Sequence, residues 1–320
     1  MHSVFVTGAA GFIGSHLVDR LLSNDMRVVG FDNLSTGKLE NLASAAQSSR
    51  FRFVKGDLLE AEATAQALAD CELVFHLAAD PEVREGAQNP AKQFEQNLQA
   101  TLNLLEVIRK RSSRTKLVFA STSTIYGEAT VIPTPEDYGP LLPISTYGAT
   151  KLGCEGLVAA YSQLLPLHVV SFRFANVVGP RARHGVLYDF IRKLQGDPNR
   201  LEVLGDGTQT KSYLHVDDCV SAFLLALNDS FWAHTVEAYN IGSEDQTNVL
   251  RIAEIVTKAM GFDDVAIRLM AKPGERAWPG DVRVMRLDVS KIMRTGWKAR
   301  RSSDEAIRTA AAELVHELVK

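Results

Sequence analysis

The first half of the chain alternates short, continuously apolar runs with longer stretches whose apolar positions recur at helical spacing. Six runs read as buried strands: Val4-Phe-Val6, Arg27-Val-Val-Gly-Phe31, Phe51-Arg-Phe-Val54, Leu73-Val-Phe-His-Leu77, Leu117-Val-Phe-Ala120 and Val169-Val-Ser-Phe-Arg173. Residues 12–23, 90–109 and 147–164 read as helices between them. Strands this short and apolar, separated by helices, specify βαβ units and a parallel sheet covered on both faces. Its crossovers are expected to be right-handed. After about residue 175 the rhythm breaks into shorter elements punctuated by turns such as Gly179-Pro180, Gly205-Asp-Gly207 and Pro279-Gly-Asp281. Ser302-x-x-Glu305 ahead of an Ala/Leu-rich run has the form of a capping box opening a last helix.

The first strand runs directly into Gly8-Ala-Ala-Gly11-Phe-Ile-Gly14, which opens the first helix. Glycines there permit a tight turn and let backbone N–H groups approach a pyrophosphate at a helix N-terminus, where the dipole favours anions. Asp32 ends the second strand, 18 residues past Gly14, placed to accept hydrogen bonds from an adenosine ribose diol. An acidic group at that point disfavours a 2′-phosphate, so NAD is expected rather than NADP. The fold class expected is therefore α/β: a Rossmann-type doubly wound parallel sheet with a smaller C-terminal α/β substrate lobe. Residues 1–174 would form the NAD-binding domain and 175–320 mainly the substrate lobe, with segments such as 214–242 returning to the first domain.

Composition narrows the classes of function. The 320 residues carry a formal net charge of −3, which gives no general drive toward nucleic acid or anionic membrane. The basic cluster Arg109-Lys-Arg111 falls where a helix should end, and a cationic helix C-terminus accounts for it. Cys71, Cys154 and Cys219 are scattered and odd in number, as expected of a reducing compartment. Neither they nor the 8 histidines show metal-ligand spacing, so no metal is expected. No apolar run reaches the roughly 18 residues of a membrane span. The chain begins in a strand-like segment with no leader pattern, so a cytoplasmic location is expected.

Tyr147 and Lys151 are four residues apart in Ile144-Ser-Thr-Tyr-Gly-Ala-Thr-Lys151. On a helix they share a face. An ammonium beside a phenol is expected to lower the phenol's pKa from about 10 and make a general base for a hydroxyl group. The spacing alone is common by chance, and the surrounding motifs give it meaning.

Those motifs resemble the extended short-chain dehydrogenases/reductases, specifically the nucleotide-sugar epimerase group typified by UDP-glucose 4-epimerase. The resemblance spans essentially the whole chain. It rests on Thr7-Gly-Ala-Ala-Gly-Phe-Ile-Gly14, Asp32-Asn33-Leu34, Gly56-Asp57-Leu58, His76-Leu-Ala-Ala79, Asn97, Ser121-Thr-Ser-Thr-Ile-Tyr-Gly127, Tyr147-x-x-x-Lys151 and Arg173-Phe-Ala-Asn176. It implies that NAD is held by Gly8, Gly11, Phe12, Ile13, Gly14, Asp32 and Asn33, with Asp57 and Leu58 at the adenine. Leu77, Ala78, Ala79, Asn97, Ser121, Phe174, Tyr147 and Lys151 would complete that cleft. Thr122 matches the residue that bonds the reacting sugar hydroxyl and relays its proton to Tyr147. The implied reaction moves hydride from sugar C4 to the cofactor, turns the resulting 4-keto sugar and returns hydride to the opposite face.

The resemblance also places a UDP-sugar. Asn176 matches a diphosphate contact, and Leu201-Glu-Val-Leu-Gly205 resembles the segment that meets the uracil edge, with Glu202 and Leu204 facing the substrate. Lys211 stands where the family has a diphosphate-binding Arg, keeping the charge without the bidentate fork. Trp278 occupies the place of a second Arg, for which Arg276 or Arg283 could substitute. The family's 4,6-dehydratases and decarboxylases carry acidic residues at the positions of Ser123 or Thr124, so epimerisation is favoured here. For the sugar, Asn176 matches the glucose/galactose type. The hydroxyl run Thr122-Ser-Thr124 and Arg183 in Gly179-Pro-Arg-Ala-Arg183 could instead hold a glucuronate carboxylate. Met285, at the position controlling room near C2, leaves N-acetylated sugars open. A homodimer through the helices near 90–110 and 147–164 is implied by the same resemblance, and a catalytically silent NAD-binding regulator is the alternative from another class.

Overall fold

In the computed structural model, residues 3–111 and 114–319 are described, with Glu85 by its backbone alone. Each of the six apolar runs is a strand: β1 (Ser3–Thr7), β2 (Arg27–Asp32), β3 (Phe51–Lys55), β4 (Cys71–His76), β5 (Thr115–Thr122) and β6 (Leu167–Phe174). A seventh, β7 (Val236–Ile241), completes a sheet of order β7-β6-β5-β4-β1-β2-β3. β1 pairs in parallel with both β2 and β4, β2 with β3, and β4 with β5. The order reverses beside β1, which places the end of β1 at the switch point where such sheets bind nucleotides. This is the expected Rossmann-type fold, a parallel sheet with flanking helices.

Helices α1 (Phe12–Ser23), α2 (Ala61–Leu68), α3 (Ala100–Arg111) and α4 (Thr146–Leu164) flank this sheet. The core combines Phe5, Val29, Phe31 and Val74 from the strands with Leu104, Leu105 and Ile108 of α3 and Val158 of α4, all buried. Ahead of α3, residues 90–99 run as a short helical turn at Pro90–Gln93 and a wider π-type turn at Phe94–Gln99. Such widened turns re-aim side chains, and this one carries Asn97. At the other end of α3, Arg111 donates to the carbonyls of Cys71 and Ala69, a cationic C-terminus as expected.

By compactness the chain divides into two units that are not contiguous in sequence. The first comprises Met1–Ile125, Thr146–Arg173 and Val220–Tyr239; the second comprises Tyr126–Ser145, Phe174–Cys219 and Asn240–Lys320. The excursion Tyr126–Ser145 groups with the second unit, and Val220–Tyr239 with the first. The second unit has small sheets. Asn176–Val178 pairs in parallel with Tyr213–His215, and Arg200–Val203 with Ala266–Leu269. Thr210–Lys211 lies between Thr247–Asn248 and Val284–Met285. Helices Val186–Gly196, Val249–Ala259 and Ser303–Val319 pack on one another there. The capping box opens the last of these: the Glu305 carboxylate accepts from Ser302 N at 2.8 Å, and Glu305 N donates to Ser302 Oγ at 3.3 Å.

Candidate active site

The glycine turn is built for close approach. Gly8 has φ +67°, and a Cβ there would lie 2.8 Å from the backbone nitrogen of Ala78. A Cβ on Gly14 would lie 2.0 Å from the carbonyl oxygen of Gly8, so α1 sits on the turn at a distance only glycine allows. Gly11 N donates to Gly8 O at 3.1 Å. The first turn of α1, which includes Phe12 and Ile13, has no side-chain cap and no acidic residue. Its N–H groups and positive dipole end are thus presented to an anion.

Asp32 is buried at the end of β2, and its two oxygens hold the turn and the following loop. Oδ2 accepts from Ala10 N at 2.9 Å and Oδ1 from Leu34 N at 2.7 Å. Burial pushes its carboxyl above the usual range, against the opposing pull of those two N–H groups. Asn33 donates to Asp57 Oδ2 at 2.9 Å, while Asp57 Oδ1 accepts from Leu59 N at 2.9 Å. Leu58 is buried beside them. At the ends of the central strands, Leu77 and Ala78 donate their N–H groups to Thr7, and Ala79 follows. Ser121 Oγ is buried near the end of β5 without a hydrogen-bond partner among the described residues. The sterically reserved turn, the uncapped helix end and this orphan hydroxyl all fit a dinucleotide. Asn97 is more committed than its sequence position suggested. Its Oδ1 accepts from Asp80 N, and its amide donates to Thr150 Oγ1 at 3.0 Å and to Asp80 O. Phe174 is buried at the last position of β6.

Tyr147 and Lys151 lie on α4, and Thr122 ends β5. The Thr122 hydroxyl acts on the Tyr147 phenol and draws its pKa down. Thr122 Oγ1 also accepts from Thr124 N at 3.2 Å and lies 3.1 Å from Thr124 Oγ1. The hydroxyls of Thr122 and Thr124 are therefore gathered at the end of β5. One expectation is corrected. The Tyr147 phenol is raised above its usual range, not lowered: burial dominates, the Thr122 hydroxyl pulls down, and Cys154 and Asp80 push up. The Lys151 ammonium lies over the Phe119 ring, 4.1 Å from the centroid. Burial in turn brings Lys151 down to about 8.

The candidates in the second unit divide into groups with different neighbours. Asn176 donates its side-chain amide to Ser212 O at 3.4 Å. Lys211 Nζ donates to Asp281 Oδ1 at 2.7 Å, and Arg276 donates to the carbonyl of Asp281 at 2.8 Å and to Glu128. Arg283 turns elsewhere, to Asp206 at 3.0 Å, Thr208 at 2.8 Å and Gly274 O. Arg183 is tied to Glu317 at 2.6 Å. Glu202 pairs with Arg200 at 3.4 Å, and the carbonyl of Leu204 accepts from Gln209. A cavity of about 340 Å³ lined by Met293, Trp297 and Arg301, among others, shares no residue with these candidates. Sequence reasoning missed Asp281 and Glu128 as partners of the basic groups. The Gly280-Asp281 pair was visible, but its long-range contact with Lys211 was not.

Fold and site together define a dinucleotide-dependent enzyme of the α/β class. The profile of the NAD dependent epimerase/dehydratase family matches residues 4–242, and the chain belongs to that family. A UDP-glucose 4-epimerase of Mycolicibacterium smegmatis is 37% identical over 265 residues, covering 81% of this chain and 83% of that protein. A crystal structure of a UDP-galactose 4-epimerase is 43% identical with a TM-score of 0.88, covering 99% of each chain. UDP-glucuronic acid 4-epimerase from Bacillus cereus, solved with UDP-glucuronic acid and NAD, is 30% identical with a TM-score of 0.88, covering 98% of this chain and 99% of that one. The chain is accordingly an NAD-dependent carbohydrate epimerase, an isomerase of the extended short-chain dehydrogenase/reductase type.

Proposed function

We propose that the protein interconverts UDP-glucose and UDP-galactose by NAD-dependent epimerisation at C4. The Thr122 hydroxyl acting on Tyr147, one helical turn from buried Lys151, carries this reading. It presents an oriented oxygen pair to one substrate hydroxyl. When bound, NAD supplies the hydride acceptor and donor and a fixed positive charge near the phenol. Tyr147 takes the 4-hydroxyl proton at its phenol oxygen, through or beside Thr122 Oγ1. Lys151, charged below about pH 8, stabilises the phenolate. Once the 4-keto sugar has turned about its diphosphate linkage, Tyr147 returns the proton to the new alkoxide. Ser123 and Thr124 carry no carboxylate, so neither elimination nor decarboxylation has an acid or base at those positions.

For the sugar itself, the neutral hexose is supported by Asn176, which matches the glucose/galactose type. Asn176, Lys211 and Arg276 are assigned to the diphosphate, and Glu202 and Leu204 to the uracil side. UDP-glucuronate 4-epimerisation is the second reading, favoured by the gathered hydroxyls of Thr122 and Thr124. We further assign the protein to the cytoplasm as a homodimer. The free, buried cysteines and the exposed Phe94 and Leu164 on the helices near 90–110 and 147–164 support this. Sedimentation as a monomer at working concentration would remove the dimer.

Parallel incubation with UDP-galactose, UDP-glucuronate and UDP-N-acetylgalactosamine, followed by NMR of the products, tests the function. C4 inversion fastest with UDP-galactose supports it. Preference for UDP-glucuronate selects the second reading, and no turnover of any of the three returns the chain to a silent NAD-binding role.

A further inference from the structure

His76 ends β4 in the middle of the sheet, is buried, and has no part in the chemistry above. Its ring links the glycine turn to the helix of Tyr147 and Lys151 through one continuous hydrogen-bond chain. Thr7, the residue before Gly8, accepts the N–H groups of Leu77 and Ala78 on its hydroxyl oxygen, each at 3.1 Å. A hydroxyl with both lone pairs engaged can act toward a third neighbour only as a donor. That neighbour is His76 Nδ1 at 2.8 Å, so Nδ1 accepts and bears no proton. Burial first, and the charge of Lys151 second, hold the imidazole down at about 3. The ring is therefore neutral, and its one proton is on Nε2.

From Nε2 the chain continues in a single direction. Nε2–H donates to Thr101 Oγ1 at 2.9 Å, and the Thr101 hydroxyl donates to the carbonyl of Asn97 at 2.7 Å. The Asn97 amide donates to Thr150 Oγ1 at 3.0 Å, and the Thr150 hydroxyl donates to the carbonyl of Tyr147 at 2.9 Å. Thr150 is the residue immediately before Lys151. The Cys154 thiol, also on α4, lies 3.3 Å from Thr101 Oγ1. Phe119 of β5, which carries the Lys151 ammonium on its face, stands 5.7 Å from the His76 ring, centroid to centroid. Protonating the imidazole at Nδ1 would set two donors against each other at Thr7 and bury a second cation near Lys151. Both are costly in this dry surrounding.

We propose that His76, fixed as the neutral Nε2–H tautomer, is a positioning residue for the epimerase reaction: it locks the dinucleotide turn at Thr7-Gly8 to the helix bearing Tyr147 and Lys151 and keeps a second positive charge away from Lys151. The proposal rests on the reading of Tyr147 and Lys151 as the catalytic pair. Its test is ¹⁵N NMR of histidine-labelled, NAD-loaded protein together with two variants. Across about pH 5 to 8, where an ordinary imidazole titrates, His76 is expected to show a protonated Nε2, a bare Nδ1 and no change. His76→Gln keeps one acceptor and one donor, and is expected to hold kcat within about threefold. His76→Phe keeps a ring against Phe119 but loses both bonds. Its kcat per NAD-loaded enzyme should fall about tenfold or more, with KM for the UDP-sugar within about twofold.

Titration of His76 in that range, a proton on Nδ1, or unchanged kcat per NAD-loaded His76→Phe enzyme would overturn the proposal. A purely structural histidine would lower stability and yield while leaving that normalised kcat alone. If His76→Phe does not fold, the wild-type NMR and the His76→Gln kcat still decide. Lack of turnover by the wild type sinks the functional reading separately, since the tautomer is read without any turnover.

Discussion

The ammonium of Lys151 lies on the face of the Phe119 ring, 4.1 Å from its centroid, with the lysine only 2% exposed. Burial opposes the charge while Cys154 and Glu155 favour it, and the balance leaves Lys151 at about 8; the ring quadrupole is a further attraction on the cation. A phenol raised by burial can serve as a base only while that cation is present. The alkaline side of the reaction should therefore belong to the lysine.

Turnover should fall as pH rises through about 8, because Lys151 is charged below that value and neutral above it. Phe119→Leu removes a cation–π contact of about 0.5–2 kcal/mol and should move this limb to lower pH by roughly 0.4 to 1.5 units. The sign is opposite for stability. The unfolded lysine keeps its proton to about 10.4, so between about 8 and about 10.4 the unfolded chain binds more protons, and this group's contribution to stability rises with pH. A pH profile of kcat that is flat to about pH 10 would remove Lys151 from the mechanism.

The Thr122 hydroxyl draws the Tyr147 phenol downward. Thr122→Ala should raise that phenol further and lower kcat, while Thr122→Ser should recover most of the loss. Tyr147→Phe removes the base and should cost about 10²–10⁴ in kcat with NAD still bound. Stopped assays on NAD-loaded protein separate the two effects. Retained activity in Tyr147→Phe contradicts the assignment.

Among the basic groups of the second unit, Lys211 and Arg276 meet at Asp281, whereas Arg283 is held by Asp206, Thr208 and Gly274. Lys211→Ala and Arg276→Ala are each expected to raise KM for the UDP-sugar about tenfold or more, the scale of one charge-assisted hydrogen bond. Arg283→Ala should leave KM within about threefold. Equal losses for all three variants would mean that Arg283 leaves Asp206 to reach the substrate.

Arg173 and Glu155 form a buried pair in the first unit, 9% and 10% exposed, with a 2.7 Å contact. Glu155→Ala should destabilise the fold by about 3–5 kcal/mol, because it removes the carboxylate that compensates a buried guanidinium. Replacing both residues by apolar groups of similar volume should cost far less. Denaturant melts of the single and double variants form a cycle that measures the coupling directly.

The fold was largely legible because its signals are local. Each of the six apolar runs is a strand, five of them largely buried, while Phe51–Lys55 at the sheet edge is only half-buried or exposed; Gly8, Gly11 and Gly14 punctuate the first crossover. The seventh strand, Val236–Ile241, was harder to see because Glu237 and Asn240 interrupt its apolar run. The candidate catalytic residues were legible as residues, but their electrostatics were not. The partners that set them, Phe119 for Lys151, Glu317 for Arg183 and Asp281 for Lys211, lie between 32 and 134 positions away in sequence and are joined only by the fold. The inversion of the expected Tyr147 shift has the same origin, since burial is a property of the packed chain and not of a tetrapeptide spacing.

The central claim is that hydride leaves C4 and returns to C4 without exchange with water. The most direct measurement is NMR of UDP-galactose incubated in D₂O with the purified protein. Conversion to UDP-glucose with protium retained at C4 is the predicted result. Deuterium at C4, or no inversion there, would contradict it.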